Sequence, residues 1–373
     1  MHSYLKRKNQ TVRQISDLRF GIPIILGDKN EDVLIFSIET LNKENFGIVE
    51  KYFPLAKSEP YVAITKNRAS LLKARVYDDD IARIKIVGKA SLSWFKATAD
   101  PSLDLDYPMK GPFESIRHGN AEMARFSIAF CKEAQLLPAI LVIPIDKDTK
   151  RQLKHASLLY QKVSDSLISQ ESDWNPNLIS SGHVPLSNGL SSKVSVFRDS
   201  TSLSEHYAVE IGVLDFKKPI LTRLHSSCFT GDVLHSLKCD CGDQLNLAIN
   251  KIQKANRGII IYLNQEGRGI GLANKMRAYK LQETGLDTFE ANRRLGFEDD
   301  ERDLEIGAKI LKKLGVRKVR LLTNNPLKLA KLESSGIRII SRIPLITKIT
   351  DENKHYLIAK KEKRGHIFVK IDP

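Results

Sequence analysis

Three clustered cysteines are the residues of this 373-residue chain whose type and spacing most directly suggest chemistry. Cys228, Cys239 and Cys241 form a C-x10-C-x-C pattern within HSSCFTGDVLHSLKCDCGDQL. Thiolates bind zinc strongly, and a catalytic zinc has three protein ligands and a water whose pKa falls to about 7. Such a site would supply a hydrolytic nucleophile. A four-ligand structural site is the alternative, because His225 or His235 could complete it.

A glycine-rich turn follows a predicted buried strand in GIIIYLNQEGRGIGLANK. Its glycines allow close backbone approach, and the helix that follows offers unpaired N–H groups to an anion. Within the turn, Glu266 can pair with donors on a base and Arg268 can bind phosphate bidentately. A purely structural strand-turn-helix has a similar sequence, so this motif alone identifies no ligand.

Two later segments also place polar residues beside predicted elements. FEDDERDLEIG precedes a helix, and its composition alone predicts a solvated acidic turn that complements the helix dipole. In KVRLLTNNPLKLAKL, Thr323 closes a strand and Lys328 lies on the helix that follows. Ligands bind at the carboxyl ends of strands in α/β sheets, although solvated lysines on a surface helix give the same pattern.

The elements that must position these residues alternate between strand-like apolar runs and amphipathic helices, which predicts an α/β (α+β) fold. In the first half we predict strands at Ile22 to Leu26, Val33 to Ile38, Tyr61 to Ile64, Ile84 to Val87 and Ala139 to Ile145, and a helix at Ala121 to Leu136. In the second half we predict strands at Val209 to Val213, Ile220 to Leu224, Ile259 to Leu263 and Lys318 to Thr323, and helices at Gln244 to Ala255, Gly271 to Glu283 and Leu304 to Leu314. The length suggests two domains. We place them at 1–165 and 183–373, with a Ser/Asn-rich linker at 166–182.

Composition and charge exclude several classes of protein. The net charge of +15 indicates a polyanionic partner, and nucleotide phosphates suit it at least as well as nucleic acid, since aromatic residues make up only 7%. No apolar run reaches the roughly 18 residues of a membrane span, and no apolar signal region follows the N-terminus. Four cysteines are too few for a disulfide framework, and we expect Cys131 to be a buried small hydrophobe. We therefore expect a cytoplasmic protein.

Taken in order, the motifs resemble the GTP cyclohydrolase II family of riboflavin biosynthesis. The resemblance runs from about Gly182 to Ile367 and is carried by TRLHSSCFTGD, SLKCDCGDQL, NQEGRGIGLANKMRAYKLQ, DTFEANRRLGFEDDERD, LLTNNPLK and NKHYLIAKKEKRGH. It implies a mixed-sheet domain of that family. It also implies hydrolysis of GTP, with zinc and Mg²⁺, to 2,5-diamino-6-(5-phosphoribosylamino)pyrimidin-4(3H)-one, formate and pyrophosphate.

The resemblance also assigns roles to individual residues. The zinc ligands fall on the three clustered cysteines. The GTP contacts fall on Arg223, Leu224, His225, Ser226, Ser227, Gln244, Glu266, Gly267, Arg268, Thr288, Thr323 and Lys328. The general base falls on Asp300, a pocket tyrosine on Tyr279, and a nucleophile that attacks the α-phosphate on Arg302.

Two of these positions need comment. Arginine has a pKa above about 12, which leaves almost no free base, so Arg302 could equally clamp the phosphates in the transition state. Ser227 stands where many family members carry Glu, next to the first cysteine, so zinc affinity or phosphate contact can differ there.

The first domain more faintly resembles 3,4-dihydroxy-2-butanone 4-phosphate synthase, through FGIPIILGDKNEDVLIFSIETL and SIRHGNAEMARFSIAFCKEAQLLPAILVIPI. The synthase needs a Gly-His-Thr-Glu motif for its divalent metal, and here the nearest candidate places Asn120 where the histidine is needed. An amide is a far poorer ligand than imidazole. We predict that this domain keeps the fold without the activity and serves in scaffolding or in forming a homodimer.

Two alternatives to the full reaction remain. The first is a partial hydrolase that releases pyrophosphate from GTP without complete deformylation. The second, from a different class, is a basic nucleic-acid-binding protein with a structural zinc, whose binding would depend on salt and would not be competed by GTP. We expect no nucleic-acid partner, because general basicity does not require the motifs around Glu266, Asp300 and Thr323 together.

Overall fold

The structure is a computed structural model that describes residues 2–86, 88, 90–155, 157–165, 174–186, 191–199, 204–350, 352–353 and 358, without the side chains of residues 2–9 and 165. Contacts divide the chain into two compact units, Met1–Asp173 with Ala273–Asp300, and Trp174–Leu272 with Glu301–Pro373. Three parts of the sequence predictions, namely Val87, residues 166–173 and most of the last motif, lie outside the described residues. No helix among the described residues is long and apolar enough to cross a bilayer.

The elements alternate along the chain as the apolar pattern predicts. The first part contains α1 (His2–Arg19), β1 (Ile24–Gly27), β2 (Asp32–Ser37), α2 (Lys43–Tyr52), β3 (Tyr61–Thr65), α3 (Lys66–Leu71), β4 (Ile81–Lys85), α4 (Leu92–Ala99), α5 (Glu122–Glu133), β5 (Ala139–Ile145), α6 (Lys147–His155) and β6 (Tyr160–Lys162). The second part contains β7 (Asn177–Pro185), β8 (Ser191–Arg198), β9 (Glu205–Gly212), β10 (Ile220–Ser226), α7 (Cys241–Lys254), β11 (Arg257–Leu263), α8 (Leu272–Gln282), α9 (Thr288–Arg294), α10 (Glu305–Lys313), β12 (Lys318–Leu322), α11 (Pro326–Ser334) and β13 (Arg338–Ile343).

The first unit is built on a six-stranded sheet in the order β4-β3-β5-β2-β1-β6. Its paired strands are antiparallel except for β1 and β6, which are parallel. The apolar face of α5, which includes Phe130 and Cys131, packs into the core that this sheet forms. Cys131 is fully buried, which confirms the prediction made for it.

The second unit is built on a seven-stranded sheet in the order β13-β12-β10-β11-β9-β8-β7. The pairs β13–β12, β12–β10 and β10–β11 are parallel, and the pairs β11–β9, β9–β8 and β8–β7 are antiparallel, so the sheet is mixed as predicted. Alternate residues of β11 belong to two separate cores: Ile259 and Ile261 pack with α10, while Ile260 packs with α7. Because successive side chains of a strand point to opposite faces, these helices cover opposite faces of the sheet.

Part of the predicted linker segment, from residue 177 onward, is a strand in the structure. Residues 177–185 form β7, which pairs antiparallel with β8. Every residue of β7 is exposed, so its polar Ser/Asn composition carries no apolar alternation. The strand is an edge strand held by backbone hydrogen bonds, which composition does not reveal.

The boundaries of the compact units also differ from the predicted domain segments. The segment Ala273–Asp300, which holds most of α8 and all of α9, packs with the N-terminal half. Within that unit, the Asn274 side-chain amide donates to the Gln135 carbonyl at 2.9 Å, and the Thr65 hydroxyl donates to the Gly296 carbonyl at 2.7 Å. An amphipathic pattern shows that a helix has a buried face but not which sheet buries it.

Candidate active site

The candidate site of the second unit lies where three parallel strands end. Strand β10 ends at Ser226, the glycine-rich turn follows β11, and Thr323 directly follows β12. Strand β10 is parallel to both β11 and β12, so these ends share one edge of the sheet. Ligands bind at this edge in α/β sheets, as the sequence argument assumed.

The three cysteines come together at this edge. Cys228 follows β10 and leads into a π-helical turn, Phe229–Val233, and Cys241 is the first residue of α7. The three Sγ atoms lie within 4.8 Å of one another, and those of Cys228 and Cys239 are 3.7 Å apart. Two sulfurs that each lie about 2.3 Å from a tetrahedral zinc ion are about 3.8 Å apart, so the cluster fits zinc.

Two glycines let the backbone pack against these sulfurs. A Cβ at Gly231 would lie 2.8 Å from the Cys239 Sγ and 3.0 Å from the Cys228 Sγ. A Cβ at Gly242 would lie 2.2 Å from the Gly231 carbonyl oxygen. Any side chain at either position would therefore displace the loop or the sulfurs. Sequence reasoning missed both glycines, although each lies within one of the quoted cysteine motifs.

The protonation of the cluster depends on a cation. Without one, the hydrogen bond with Cys228 raises the pKa of Cys239 to about 11, and the two neighbouring sulfurs raise the pKa of Cys241 well above its usual value. A bound cation favours the thiolates and reverses this direction. Cys241 also lies at the N-terminus of α7, where the helix dipole favours an anion.

The proposed fourth ligands do not join the cluster. Among the described residues, the group that could hold an ion consists of the three cysteines alone. The Nε2 atom of His225 lies 3.0 Å from both carboxylate oxygens of Asp232, and His235 is exposed. The four-ligand structural alternative therefore lacks its fourth ligand there, whereas a three-ligand site retains an open position.

A buried carboxylate stands beside the first cysteine. Asp232 accepts hydrogen bonds from the backbone N–H of Cys228 at 3.0 Å and from the Tyr262 hydroxyl at 2.9 Å, besides its contact with His225. Burial lowers the pKa of His225, and the hydrogen bond with Asp232 opposes this. This network was not foreseen from the sequence.

The buried Arg223 and the half-buried Gln244 are hydrogen-bonded to each other at the same edge. The Nη2 atom of Arg223 donates to the Oε1 atom of Gln244 at 2.5 Å, and its Nη1 atom donates to the Leu322 carbonyl at 3.0 Å. Burial lowers the pKa of Arg223 to about 10, and the negative charge of Asp240 opposes this. The Gln244 amide in turn donates to Asp240.

The glycine-rich turn is a 3-10 turn, Glu266–Gly269, that contacts the cysteine loop. Gly267 and Arg268 have φ values of 62° and 63°, in the left-handed region. The Glu266 carboxylate accepts the backbone N–H of Phe229 at 2.6 Å and that of Gly267 at 3.1 Å. Glu266, a predicted nucleotide contact, is thus hydrogen-bonded to the loop that follows Cys228.

The same turn contacts Glu301 of the acidic segment. The Arg268 carbonyl accepts the Glu301 N–H at 3.0 Å, and a Cβ at Gly269 would lie 2.7 Å from the Glu301 carbonyl oxygen. The Nη1 atom of Arg302 donates to the Ser226 hydroxyl at 3.3 Å, at the end of β10. The expectation of a merely solvated turn, drawn from composition, is therefore wrong for residues 301–302.

Thr323 and Lys328 are buried rather than solvated. The Nζ atom of Lys328 donates to the Leu224 carbonyl at 2.8 Å, and the Thr323 hydroxyl accepts the Asn325 N–H at 3.0 Å. Lys328 is only 6% exposed, so the surface-lysine alternative is wrong for this residue. Ser227 lies at the same edge, where its N–H donates to the Leu263 carbonyl at 2.8 Å.

Three residues with assigned roles belong to the first unit instead. Tyr279 lies half-buried on α8, with the Lys275 ammonium 5.6 Å from its ring centre. Thr288 begins α9, and its hydroxyl accepts the Gln282 amide at 3.2 Å. Asp300 is half-buried and ends the segment. The cluster described above is built from the second unit alone, and the roles of these three residues stay predictions.

The acidic loop of the first unit lines a cavity of about 330 Å³. Asp28 closes its own turn by accepting the N–H groups of Asn30 and Glu31 at 2.7 and 2.8 Å. The Asn120 side chain accepts the Glu122 N–H at 2.8 Å. The cavity is lined by Asp28, Asn30, Glu31, Asp32, Lys57, Ser58, Asn120 and Pro144.

Comparison with known proteins matches these features to one family. A profile of the family "GTP cyclohydrolase II" matches residues 179–344. A GTP cyclohydrolase-2 from Azospirillum brasilense is 37% identical over 331 residues, which cover 86% of this chain and 84% of that protein. A GTP cyclohydrolase-2 from Buchnera aphidicola subsp. Schizaphis graminum is 50% identical over 174 residues, 47% of this chain and 89% of that protein.

Other similarities cover less or carry less weight. The riboflavin biosynthesis protein RibBA of Endomicrobium trichonymphae is 50% identical over 179 residues, but the match spans only 44% of that protein. A crystal structure of RibBX, a two domain 3,4-dihydroxy-2-butanone 4-phosphate synthase from A. baumannii, covers 91% of this chain and 99% of that one at 16% identity and a TM-score of 0.32. That score is too low to support an argument about the first unit. The long match with the Azospirillum protein decides the assignment: the chain belongs to the GTP cyclohydrolase II family of enzymes.

Proposed function

We propose that this protein catalyses the first step of riboflavin biosynthesis, the hydrolysis of GTP to 2,5-diamino-6-(5-phosphoribosylamino)pyrimidin-4(3H)-one, formate and pyrophosphate. The observation that carries the proposal is the three-cysteine cluster at the carboxyl ends of the parallel strands, with its sulfurs within 4.8 Å of one another and those of Cys228 and Cys239 3.7 Å apart. Its spacing suits zinc, and its three-ligand set retains a position for water. Mg²⁺ would accompany the GTP triphosphate.

The three thiolates of the cluster would hold the zinc ion. When bound, zinc supplies a water of lowered pKa as the hydrolytic nucleophile for opening the guanine ring and releasing formate. Asp300 is proposed as the general base and Tyr279 as part of the catalytic pocket, both from the family resemblance.

The residues at the strand ends would bind the nucleotide. The Glu266 carboxylate accepts two backbone N–H groups of this edge, and a carboxylate is a suitable acceptor for the donors on a purine edge. The Nδ1 atom of His225 is buried and has no hydrogen-bond partner among the described residues. Because its Nε2 atom faces Asp232, the Nδ1 atom is an acceptor for a donor on GTP.

Arg302 has two candidate roles, nucleophile and phosphate clamp. Its guanidinium donates to the Ser226 hydroxyl at the end of β10, at the same sheet edge as the other nucleotide-binding candidates. A protonated guanidinium matches phosphate oxygens bidentately but is not a nucleophile. We therefore favour a phosphate clamp over the nucleophilic role.

The test is incubation of the zinc-loaded protein with GTP and Mg²⁺, with formate and pyrophosphate quantified separately. We expect equal amounts of both products, and loss of formate in Cys239→Ser. Cys131→Ala is the matched control, because Cys131 lies outside the cluster and should leave the product ratio unchanged. Pyrophosphate without formate would establish the partial hydrolase instead. No turnover, together with salt-dependent nucleic-acid binding that GTP does not compete, would overturn the proposal.

For the first domain, we propose a scaffolding or dimerising role without synthase activity. The support is Asn120 at the position where a metal-binding histidine is needed, in a side chain that caps its own loop. Formation of dihydroxybutanone phosphate from ribulose 5-phosphate by the purified protein would contradict the loss of activity. Sedimentation equilibrium tests the homodimer, and a monomer at micromolar concentration would contradict it.

A further inference from the structure

The Asp232 carboxylate is assigned no contact with GTP in the reaction proposed above, yet it is buried beside the cysteine cluster. Its side chain is 4% exposed. Among the described residues, its ion-pair contact is with the buried His225. A buried carboxylate is costly unless its hydrogen-bond donors satisfy it fully.

Three donors do satisfy it, and each belongs to a different element. Tyr262 lies on β11 and His225 on β10, where the two residues are direct register partners. Their rings stack with centroids 5.4 Å apart. The third donor is the backbone N–H of Cys228, at 3.0 Å. Asp232 thus ties the first cysteine of the cluster to two adjacent strands of the sheet.

The residue after this cysteine is fixed in the same way. The N–H of Phe229 donates to the Glu266 carboxylate at 2.6 Å. Two successive backbone N–H groups at the start of the loop are therefore held by two carboxylates. Ten residues separate Cys228 from Cys239 in sequence, whereas one separates Cys239 from Cys241, so Cys228 is the cysteine whose position depends most on such anchoring.

We propose that Asp232 is a positioning residue of the metal site, which holds the Cys228 loop so that the first sulfur is preorganised to bind the metal together with the other two. The proposal rests on the three-cysteine metal site of the proposed function. Residues that orient ligands in this way typically change metal affinity by about 10- to 100-fold when they are replaced.

The test compares metal binding by three variants of the full chain. Asp232→Asn keeps the size of the side chain, but its NH₂ group cannot accept a hydrogen bond, so one of the three donors loses its acceptor. Zinc affinity is measured by competition with a chromophoric chelator, and geometry by the visible absorption of the Co²⁺-substituted protein. We expect about 10- to 100-fold weaker zinc binding and shifted Co²⁺ bands, with the circular dichroism of the wild type.

Two further variants complete the comparison. Tyr262→Phe removes one donor but keeps the contact between Asp232 and Cys228, so it should weaken zinc binding less than Asp232→Asn does. Asp215→Asn is the matched control, because this partly exposed carboxylate of the same unit accepts a local backbone N–H and should leave zinc affinity unchanged.

The outcomes separate the inference from the proposed function. Wild-type zinc affinity and Co²⁺ bands in Asp232→Asn, even with lowered thermal stability, would show a purely structural role and overturn the inference. If Asp232→Asn does not fold, Tyr262→Phe decides, and unchanged affinity and bands in it would overturn the inference. Failure of the wild type to bind zinc would overturn the metal site itself, and this inference with it.

Discussion

The contact between Gly231 and the cysteine sulfurs makes this glycine a sensitive position of the loop that follows Cys228. An added Cβ would lie 2.8 Å from one sulfur and 3.0 Å from another, closer than nonbonded atoms approach, so the loop must move. We expect Gly231→Ala to bind zinc at least about tenfold more weakly, because replacing residues that orient metal ligands typically lowers metal affinity by that much. Retained zinc after dialysis against a chelator is the measurement.

Gly182→Ala is the matched control for this change. A Cβ at Gly182 meets no atom within 4 Å, and the residue lies in the exposed edge strand β7. It should retain zinc as the wild type does. Equal retention by the Gly231→Ala protein would mean that the loop relaxes without cost and would contradict the packing argument.

The buried His206 should make the free energy of unfolding depend on pH. Burial lowers its pKa from 6.5 to about 4, and its Nδ1 atom accepts the Asn264 N–H at 3.0 Å, which requires the neutral ring. The unfolded chain therefore binds a proton that the folded chain does not, and stability is lost as pH falls from about 6.5 toward 4. At pH 5 this loss is about 2 kcal/mol.

Urea unfolding at pH 7.5 and pH 5 checks this expectation. The loss of stability between the two pH values should be smaller by about 2 kcal/mol in His206→Gln than in the wild type, because glutamine has no proton to bind. The exposed His183→Gln provides the control and should keep the wild-type difference. An identical pH dependence in all three proteins would exclude His206 as the cause.

The clustering of the three cysteines could be predicted at the residue scale, but the residues around the cluster could not. Cys228, Cys239 and Cys241 are close in sequence, so spacing and chemistry were sufficient. His206 accepts from Asn264, 58 positions away, and Asp232 meets Tyr262, 30 positions away. Such partners are brought together by strand register, which a single sequence does not specify.

At the scale of elements, helix α9 depends on a capping box. The Asp287 side chain accepts the N–H groups of Phe289 and Glu290, and the Glu290 side chain accepts the Asp287 N–H. Asp287→Ala leaves these donors without their partner and should lower the free energy of unfolding by about 1 kcal/mol. Asp287→Ser retains a capping oxygen and should lose less, as measured by urea unfolding. Equal losses would contradict the capping argument.

Elements with strong apolar periodicity were predictable, and those with none were not. Strands β5, β10, β11 and β12 and helices α5, α7 and α10 coincide closely with the predicted segments, because each buries an apolar run or stripe. Strand β7 was missed because all nine of its residues are exposed. It is paired with β8 through backbone hydrogen bonds, which have no signature in side-chain composition.

At the scale of the whole molecule, the division into units predicts how a fragment should behave. Phe289 and Leu295 are buried in the first unit, whose Thr65 hydroxyl binds the carbonyl of Gly296. A fragment of residues 174–373 removes the N-terminal partner of α9 and exposes these side chains, at a cost of about 1.5–3 kcal/mol for each. We expect this fragment to bind a hydrophobic dye and to aggregate, and separately produced residues 1–173 to reverse both effects.

The Buchnera relative provides a reason to expect the opposite result for this fragment. It is matched over 89% of its length by only 47% of this chain, so a relative exists in which the matched region has little chain beyond it. In the present protein, however, Asn67 donates to the Phe297 carbonyl at 2.9 Å, and Arg277 pairs with Glu39 at 3.1 Å, within the first unit. Size-exclusion chromatography of the fragment, with formate release as a second readout, decides whether residues 174–373 fold alone or need the first unit. A monodisperse fragment with wild-type formate release would show that the segment 273–300 can leave the first unit without loss, and that the sequence domains fold independently.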